Sequence, residues 1–216
     1  MSTGRGKQQR GTPEHILTTA ERLFAQRGIS AVSNRLIAQE AGALNNSAVG
    51  YHFGTKQDLV VATLRFHYAQ METWWAHRAI ALAGTRDPRG FIDALVRQLP
   101  EHLQACGPHS YFGRFLFATM TDPAWRHVMV DESLKATSLP YLRQGLRACD
   151  LPIDTDLLDL RANLVAPLLA QACAEEEAAR ADGGGRFVSW TALGDFLVDA
   201  VAGLLLAPVT GAHEGG

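Results

Sequence analysis

Cysteine is scarce in this chain: Cys106, Cys149 and Cys173 are the three among 216 residues, and no Cys-x-x-Cys occurs. An odd, scattered set excludes a disulfide framework and fits reduced, buried thiols in a reducing compartment. No two histidines stand three or four residues apart, so a helical histidine pair is missing and no metal site is expected. Long apolar runs are missing too, because each is broken by polar or charged residues; no membrane span is expected. The opening MSTGRGKQQRG has no apolar segment of the secretory kind, so a cytoplasmic location is expected. The triple glycine at 183–185 follows no strand and precedes no Lys-Ser/Thr, which excludes a phosphate loop. His109-Ser110 lacks a nucleophile-elbow context and an orienting acid. Neither catalytic residues nor a cofactor are expected. No internal repeat and no convincing strand pair is found.

What remains is a globular composition, 47% hydrophobic and 19% charged. The net charge of −2 is unevenly spread. Through Lys56 the basic residues Arg5, Lys7, Arg10, Arg22, Arg27, Arg35 and Lys56 stand against Glu14, Glu21 and Glu40, seven to three, giving a head of +4 on a body of −6. A basic head on an acidic body localises attraction for phosphates and keeps the body off them.

Within the head, helix signals come in quick succession. Thr12-Pro13-Glu14 reads as N-cap, first-turn proline and first-turn acid, and Ile16, Ala20, Leu23 and Phe24 make a buried stripe ending at Gly28. Ser33 is a second N-cap, with Val32 and Ile37 placed as a hydrophobic staple. Leu36, Ile37 and Ala41 keep helical spacing, and Gly42 suits a left-handed terminator. Asn45-Asn46-Ser47 offers a third cap before Val49 and Phe53. Thr55 caps a fourth helix, with Asp58 completing a variant capping box. Helix, glycine turn and second short helix make a helix-turn-helix pattern, whose second helix presents its first residues to base edges in the major groove. Those residues are Asn45, Asn46, Ser47 and Ala48, with Gly50 and Tyr51 a turn later. Asparagine can bond adenine bidentately, and an alanine methyl or tyrosine ring can meet a thymine methyl. Ser33, Asn34, Tyr51, His52, Thr55 and Lys56 are placed to hold phosphates, and Arg35 to reach a guanine.

The string YHFGTKQDLV at 51–60, with GTPEHILTTAERLFAQRGI before it, resembles the DNA-binding domain of the tetracycline-repressor (TetR) family. The matching features are Ile16, Ala20, Leu23, Phe24 and Gly28, then Ile37-Ala38 and Ala41-Gly42, then Tyr51-His52-Phe53 and Thr55-Lys56. They cover about the first quarter of the chain. Two departures stand out: one extra residue between Gly42 and Phe53, and Gly50 where a larger residue is usual. The resemblance implies that the third helix reads bases while the starts of the second and fourth grip the backbone. It also implies a second domain that encloses an effector site, and a four-helix dimer interface built from the last two helices of each subunit.

The rest of the chain reads as helical. The fourth helix is expected to run to about Ala83, and Asp87-Pro88 to open another ending near Cys106. Residues 109–121 admit a strand, but a short buried helix is preferred. Asp122-Pro123 opens a helix that Pro140 kinks or splits, and Leu151-Pro152 is a break. Leu157, Leu160, Leu164, Val165, Leu168 and Leu169 begin a long stripe in which Pro167 predicts a kink near Asn163. Glu175 to Glu177 read as a solvated continuation and 182–185 as a flexible linker. Ser189 caps the last helix, with Val188 and Leu193 as staple, and Pro208 stops it.

The expected fold is thus all-α. Residues 1–11 form a flexible basic arm, 12–56 a three-helix helix-turn-helix domain, 57–208 a larger helical effector-binding and dimerisation domain, and 209–216 a flexible tail. Aromatic and methionine side chains suit an adaptable apolar cavity, and His67, Met71, Trp74, Trp75, Phe112, Phe115, Thr119, Met120, Trp125 and Met129 are its candidate lining. Leu157, Leu160, Leu164, Leu168, Leu193, Phe196, Leu197, Val201 and Leu204 are the candidate dimer surface. The expected function is that of a homodimeric repressor on a palindromic operator in double-stranded DNA, released by a small apolar or aromatic effector, with no membrane partner. The alternatives are a helical small-molecule binder whose head contacts protein or RNA, and, more remotely, a helical lipid or isoprenoid enzyme, against which the lack of an acidic metal cluster argues.

Overall fold

The computed structural model describes residues 12–209 apart from Leu44, Asn46 and Pro152, so the expected arm, the tail beyond Val209 and the assignment of Asn46 lie outside the described residues. All regular structure among the described residues is helical, in eleven segments. Three short helices open the chain: α1 (Pro13–Arg27), α2 (Asn34–Glu40) and α3 (Ala48–Phe53). There follow α4 (Lys56–Ala81), α5 (Pro88–Val96), α6 (Gln98–Cys106), α7 (Phe112–Thr121), α8 (Pro123–Leu134), α9 (Ser138–Arg147), α10 (Thr155–Ala181) and α11 (Trp190–Leu206).

Most boundaries are set by the side chains that satisfy the first free N–H groups of each helix. Thr12 accepts from the His15 amide, Ser33 from Leu36, Asp87 from Arg89, Asp122 from Ala124, Asp154 from Leu157 and Ser189 from Ala192. Thr55 and Asp58 form the full reciprocal box at the start of α4. Gly28 (φ 79°) and Gly42 (φ 64°) take the left-handed backbone that ends α1 and turns α2 toward α3.

Several expectations are corrected. The helix from Pro88 does not reach Cys106 unbroken: Pro100 has no N–H to bond the Val96 carbonyl, and the chain breaks at Arg97 into α5 and α6. Of the two outcomes open at Pro140, the split is found, with Pro140 in the first turn of α9, and Pro167 lies inside α10. Val188 is no staple, being 96% exposed. The glycines after α10 close its C-terminus in a bonded turn, the Gly184 N–H donating to the Ala179 carbonyl at 2.9 Å. The largest correction concerns Glu176 and Glu177, which are buried. Glu177 accepts the backbone N–H of Gly113 (3.1 Å) and of Arg114 (3.0 Å), along with Arg114 Nε (3.0 Å), so it caps α7 from α10. The α7–α10 approach is correspondingly tight: a Cβ on Gly113 would lie 3.3 Å from the Cys173 carbonyl oxygen.

These contacts make α7 the hub of the molecule, packed on α10, α1, α8 and α6. Helix α11 lies on α5 and α6, and Arg97 reaches Asp195 at 2.6 Å. Arg161 of α10 donates to the Leu205 and Ala207 carbonyls at the end of α11 (3.2 and 2.6 Å). Helix α10 is also long and apolar enough, by length and composition alone, to cross a bilayer. Its apolarity comes from a buried face against α7 and an exposed face carrying Leu160, Leu164 and Leu168.

Helix α9 rests on α5 where Gly145 meets Phe91, and a Cβ at Gly145 would come within 2.3 Å of that buried ring. Gly145→Ala is therefore expected to lower stability by about 1–3 kcal/mol despite its gain in helix propensity, read as a fall in the denaturant midpoint.

Candidate functional site

The head is a three-helix core of Ile16, Ala20, Leu23, Phe24, Val32, Ile37, Ala38 and Val49, all fully buried. That packing turns the other side of α3 outward. Gly50, Tyr51 and His52 are exposed, Tyr51 at 85%, with the Tyr51 and His52 rings edge to face at 5.0 Å. Helix α3 begins at Ala48, later than the sequence suggests, because Asn45 is spent on the turn before it. The Asn45 side-chain oxygen accepts from the Ser47 N–H (2.9 Å) and hydroxyl (2.6 Å). Ser33 and Thr55 also carry caps, with Thr55 bonded to Asp58 at 2.7 Å. Asn34 is half-buried and Arg35 exposed.

Lys56 has a structural task in the chain alone. Its ammonium donates to the carbonyls of Ile29 (3.1 Å) and Ser30 (3.4 Å), tying the α1–α2 loop to the start of α4. Trp125 has one too. Its indole N–H donates to the Ser30 hydroxyl at 3.3 Å, and that hydroxyl donates to Asp122 at 3.1 Å. Trp125 thus sits at the joint between head and body rather than deep among the aromatic residues.

The remaining candidates for a ligand site lie in the hydrophobic core, on α4, α7 and α8. His67, Met71, Trp75, Phe112, Phe115, Thr119, Met120 and Met129 are buried there, and Trp74 is half-buried. Phe115 stacks on Phe24 of the head at 6.0 Å. A separate cleft of about 530 Å³ opens between α4 and α8, lined among others by Gln57, Val61, Arg65, His127 and Glu132, and by none of the residues expected to line a pocket. Burial works against the ionised form of Glu132. Hydrogen bonds from Arg65, at 2.7 and 3.2 Å, and from Lys135 outweigh it, keeping the carboxyl below its ordinary range.

Sequence reasoning missed a polar cluster inside this core. His67 of α4 bonds Glu21 of α1 through Nε2 (2.7 Å) and His102 of α6 through Nδ1 (2.7 Å). Cys106, one turn after His102, brings its sulfur to 3.4 Å from the same His102 Nε2. Burial pushes the His102 imidazole down to about 4, and any positive charge on His67 would push the same way. Burial also pushes the Cys106 thiol up to about 11, helped by Glu21 and Glu177. Cys106 stands at the solvent edge, where the sequence suggested a buried thiol. A signal was present in the four-residue spacing of His102 and Cys106, which a search for histidine pairs alone passes over.

The dimer candidates divide. Leu193, Leu197 and Val201 are buried within the protomer against α5 and α6, and so are unavailable to a second copy. Leu160 (66% exposed), Leu164 (57%), Leu168 (37%) and Phe196 (55%) face outward, while Leu157 and Leu204 are half-buried.

Residues 16–63 match the family described as bacterial regulatory proteins, tetR family. No curated protein matches the chain. Among solved structures, the fatty acid degradation regulator FadR from Bacillus halodurans is similar in fold, with a TM-score of 0.58 at 16% identity over 92% of this chain and 100% of that one. A TetR-like transcriptional regulator from Rhodococcus sp. RHA1 gives a TM-score of 0.53 at 19% identity, over 90% and 95%.

The two outward-assigned head residues should separate in a stability measurement. Lys56→Ala is expected to lower stability by about 1–2 kcal/mol, since two carbonyls lose a charged donor. Tyr51→Ala, with its ring in solvent, should stay within about 0.5 kcal/mol. Denaturant midpoints of the two variants check both.

Proposed function

We infer that the chain is a DNA-binding transcriptional regulator of the tetR family, whose model matches residues 16–63, and that it acts as a homodimeric repressor of the cytoplasm on a near-palindromic operator. The observation that carries this reading is the outward face of α3, where Gly50, Tyr51 and His52 project from a head whose core does not need them. Ala48, Gly50, Tyr51 and His52 are the proposed groove contacts, with Arg35 and the first turn of α4 flanking them.

A single short helix reads too few base pairs for specificity, so two copies are needed. The stripe of Leu160, Leu164, Leu168 and Phe196 on α10 and α11 is the surface proposed to join them. Its three leucines follow one face of α10 at i, i+4, i+8 spacing, an apolar seam that water covers poorly. Two-fold symmetry then sets the reading helices roughly 34 Å apart, one turn of DNA.

The proposed effector is a small, largely apolar or aromatic molecule taken up in the helical body. Trp74, half-buried beside His102, is the assigned residue nearest the edge of that core. Release of DNA requires the effector to favour one arrangement of the two heads over another. The joint at Ser30, Asp122 and Trp125 is the part proposed to carry that preference.

Selection from a random DNA pool tests the reading. Enrichment of a near-palindrome is expected, and Tyr51→Ala should weaken binding to it at least tenfold. Leu164→Asp should leave a folded monomer in equilibrium sedimentation and lose the operator with it. Failure to enrich any sequence at moderate salt overturns the repressor assignment.

A further inference from the structure

We propose that His67, His102 and Cys106 form a binding site for a borderline-soft divalent cation, best matched by zinc, placed where the head joins the body. The donor atoms His67 Nδ1, His102 Nε2 and Cys106 Sγ all lie within 4.8 Å of one another. Two imidazoles and a thiolate are a common partial ligand set for zinc, leaving a fourth, solvent-side position. Cys106 stands at the exposed rim, which gives the ion a way in, while both imidazoles are buried. His102 and Cys106 are four residues apart on α6 and share one helix face.

The surroundings hold these donors as a metal site needs them held. The Nε2–H of His67 donates to Glu21 at 2.7 Å, which fixes the tautomer and leaves the Nδ1 lone pair facing His102. A carboxylate behind a ligating imidazole is the usual outer partner of such sites, orienting the ring and raising its basicity. Glu21 is itself steadied by the backbone N–H of Tyr111 at 3.2 Å. The His67 ring stacks on Phe112 at 3.8 Å and meets His102 at 83°, so neither ring is free to turn away.

Without an ion, one proton bridges the two facing nitrogens. With one, the His102 proton shifts to the other ring nitrogen, the Cys106 proton leaves to solvent, and the sulfur and two nitrogen lone pairs bond the cation. The formal charges of the ion, the thiolate and the Glu21 carboxylate then sum to zero, which a buried site favours. Zinc–nitrogen bonds of about 2.0–2.1 Å at a tetrahedral angle set the two nitrogens about 3.3 Å apart, so they must open by about 0.6 Å. Because His67 is bonded to Glu21 of α1, that opening presses on the head. Occupancy is thereby coupled to DNA affinity, a consequence that rests on the regulator reading above, whereas the site itself does not.

Cobalt(II) and zinc titrations of the full-length protein test the site. One cobalt per protomer with a thiolate-to-metal charge-transfer absorption is expected, displaced by zinc. Cys106→Ser, on the rim and harmless to the fold, should abolish that absorption and weaken zinc binding at least tenfold. Glu21→Gln should keep the absorption and weaken zinc binding by about 10–100-fold. Absence of the thiolate absorption, or equal zinc affinity in wild type and Cys106→Ser, overturns the site. A shift of about fivefold or more in operator affinity with zinc is expected for the coupling, and an unchanged affinity in a zinc-loaded protein overturns that part alone. A zinc-loaded protein that binds no operator under any condition counts against the regulator reading and leaves the site standing.

Discussion

The Glu177 carboxylate takes up the N–H groups of Gly113 and Arg114 at the start of α7, and the rest of the body is arranged around that capped end. A buried carboxylate without partners costs several kcal/mol. Here two amides, the Arg114 guanidinium and the positive end of a helix share it. The contact fixes α7 on α10 closely enough that a Cβ on Gly113 would crowd the Cys173 carbonyl. Helix α1 then lies on α7, so the position of the head follows from a carboxylate at the far end of the chain.

Between head and body, polar bonds and an aromatic contact accompany the packing of α1 on α7. Glu21 meets His67, Ser30 meets Asp122 and Trp125, and Phe24 stacks on Phe115. Bonds of that kind hold one arrangement by direction as well as by packing. The polar ones are also specific, because a displaced buried partner must find a new one or pay for desolvation.

The head was legible because short-range rules set it: caps at Thr12, Ser33 and Thr55, terminators at Gly28 and Gly42, and a buried stripe at helical spacing. The body was legible as helix but not in its joints, since whether Pro100 ends a helix or begins one depends on what packs on either side. Glu176 and Glu177 looked solvated because a charge run gives no sign of the Arg186 amide folding back on Glu176 or of the distant α7 terminus reaching Glu177. The apolar faces of α10 and α11 were visible, yet their division between core (Leu193, Leu197, Val201) and surface (Leu160, Leu164, Phe196) was not. Lys56 and Trp125 were assigned by position along the helix, which is blind to carbonyls and hydroxyls brought near by the fold.

Gly50 stands on the outer face of α3 in helical backbone, and a Cβ built there meets nothing within 4 Å. The scaffold is therefore indifferent to what occupies that position. A mutation there would meet no steric penalty and would gain up to about 1 kcal/mol of helix propensity. In a head that reads DNA, recognition at that spot can drift across generations while folding is untouched, which makes Gly50 a hinge point for descendants with new operators.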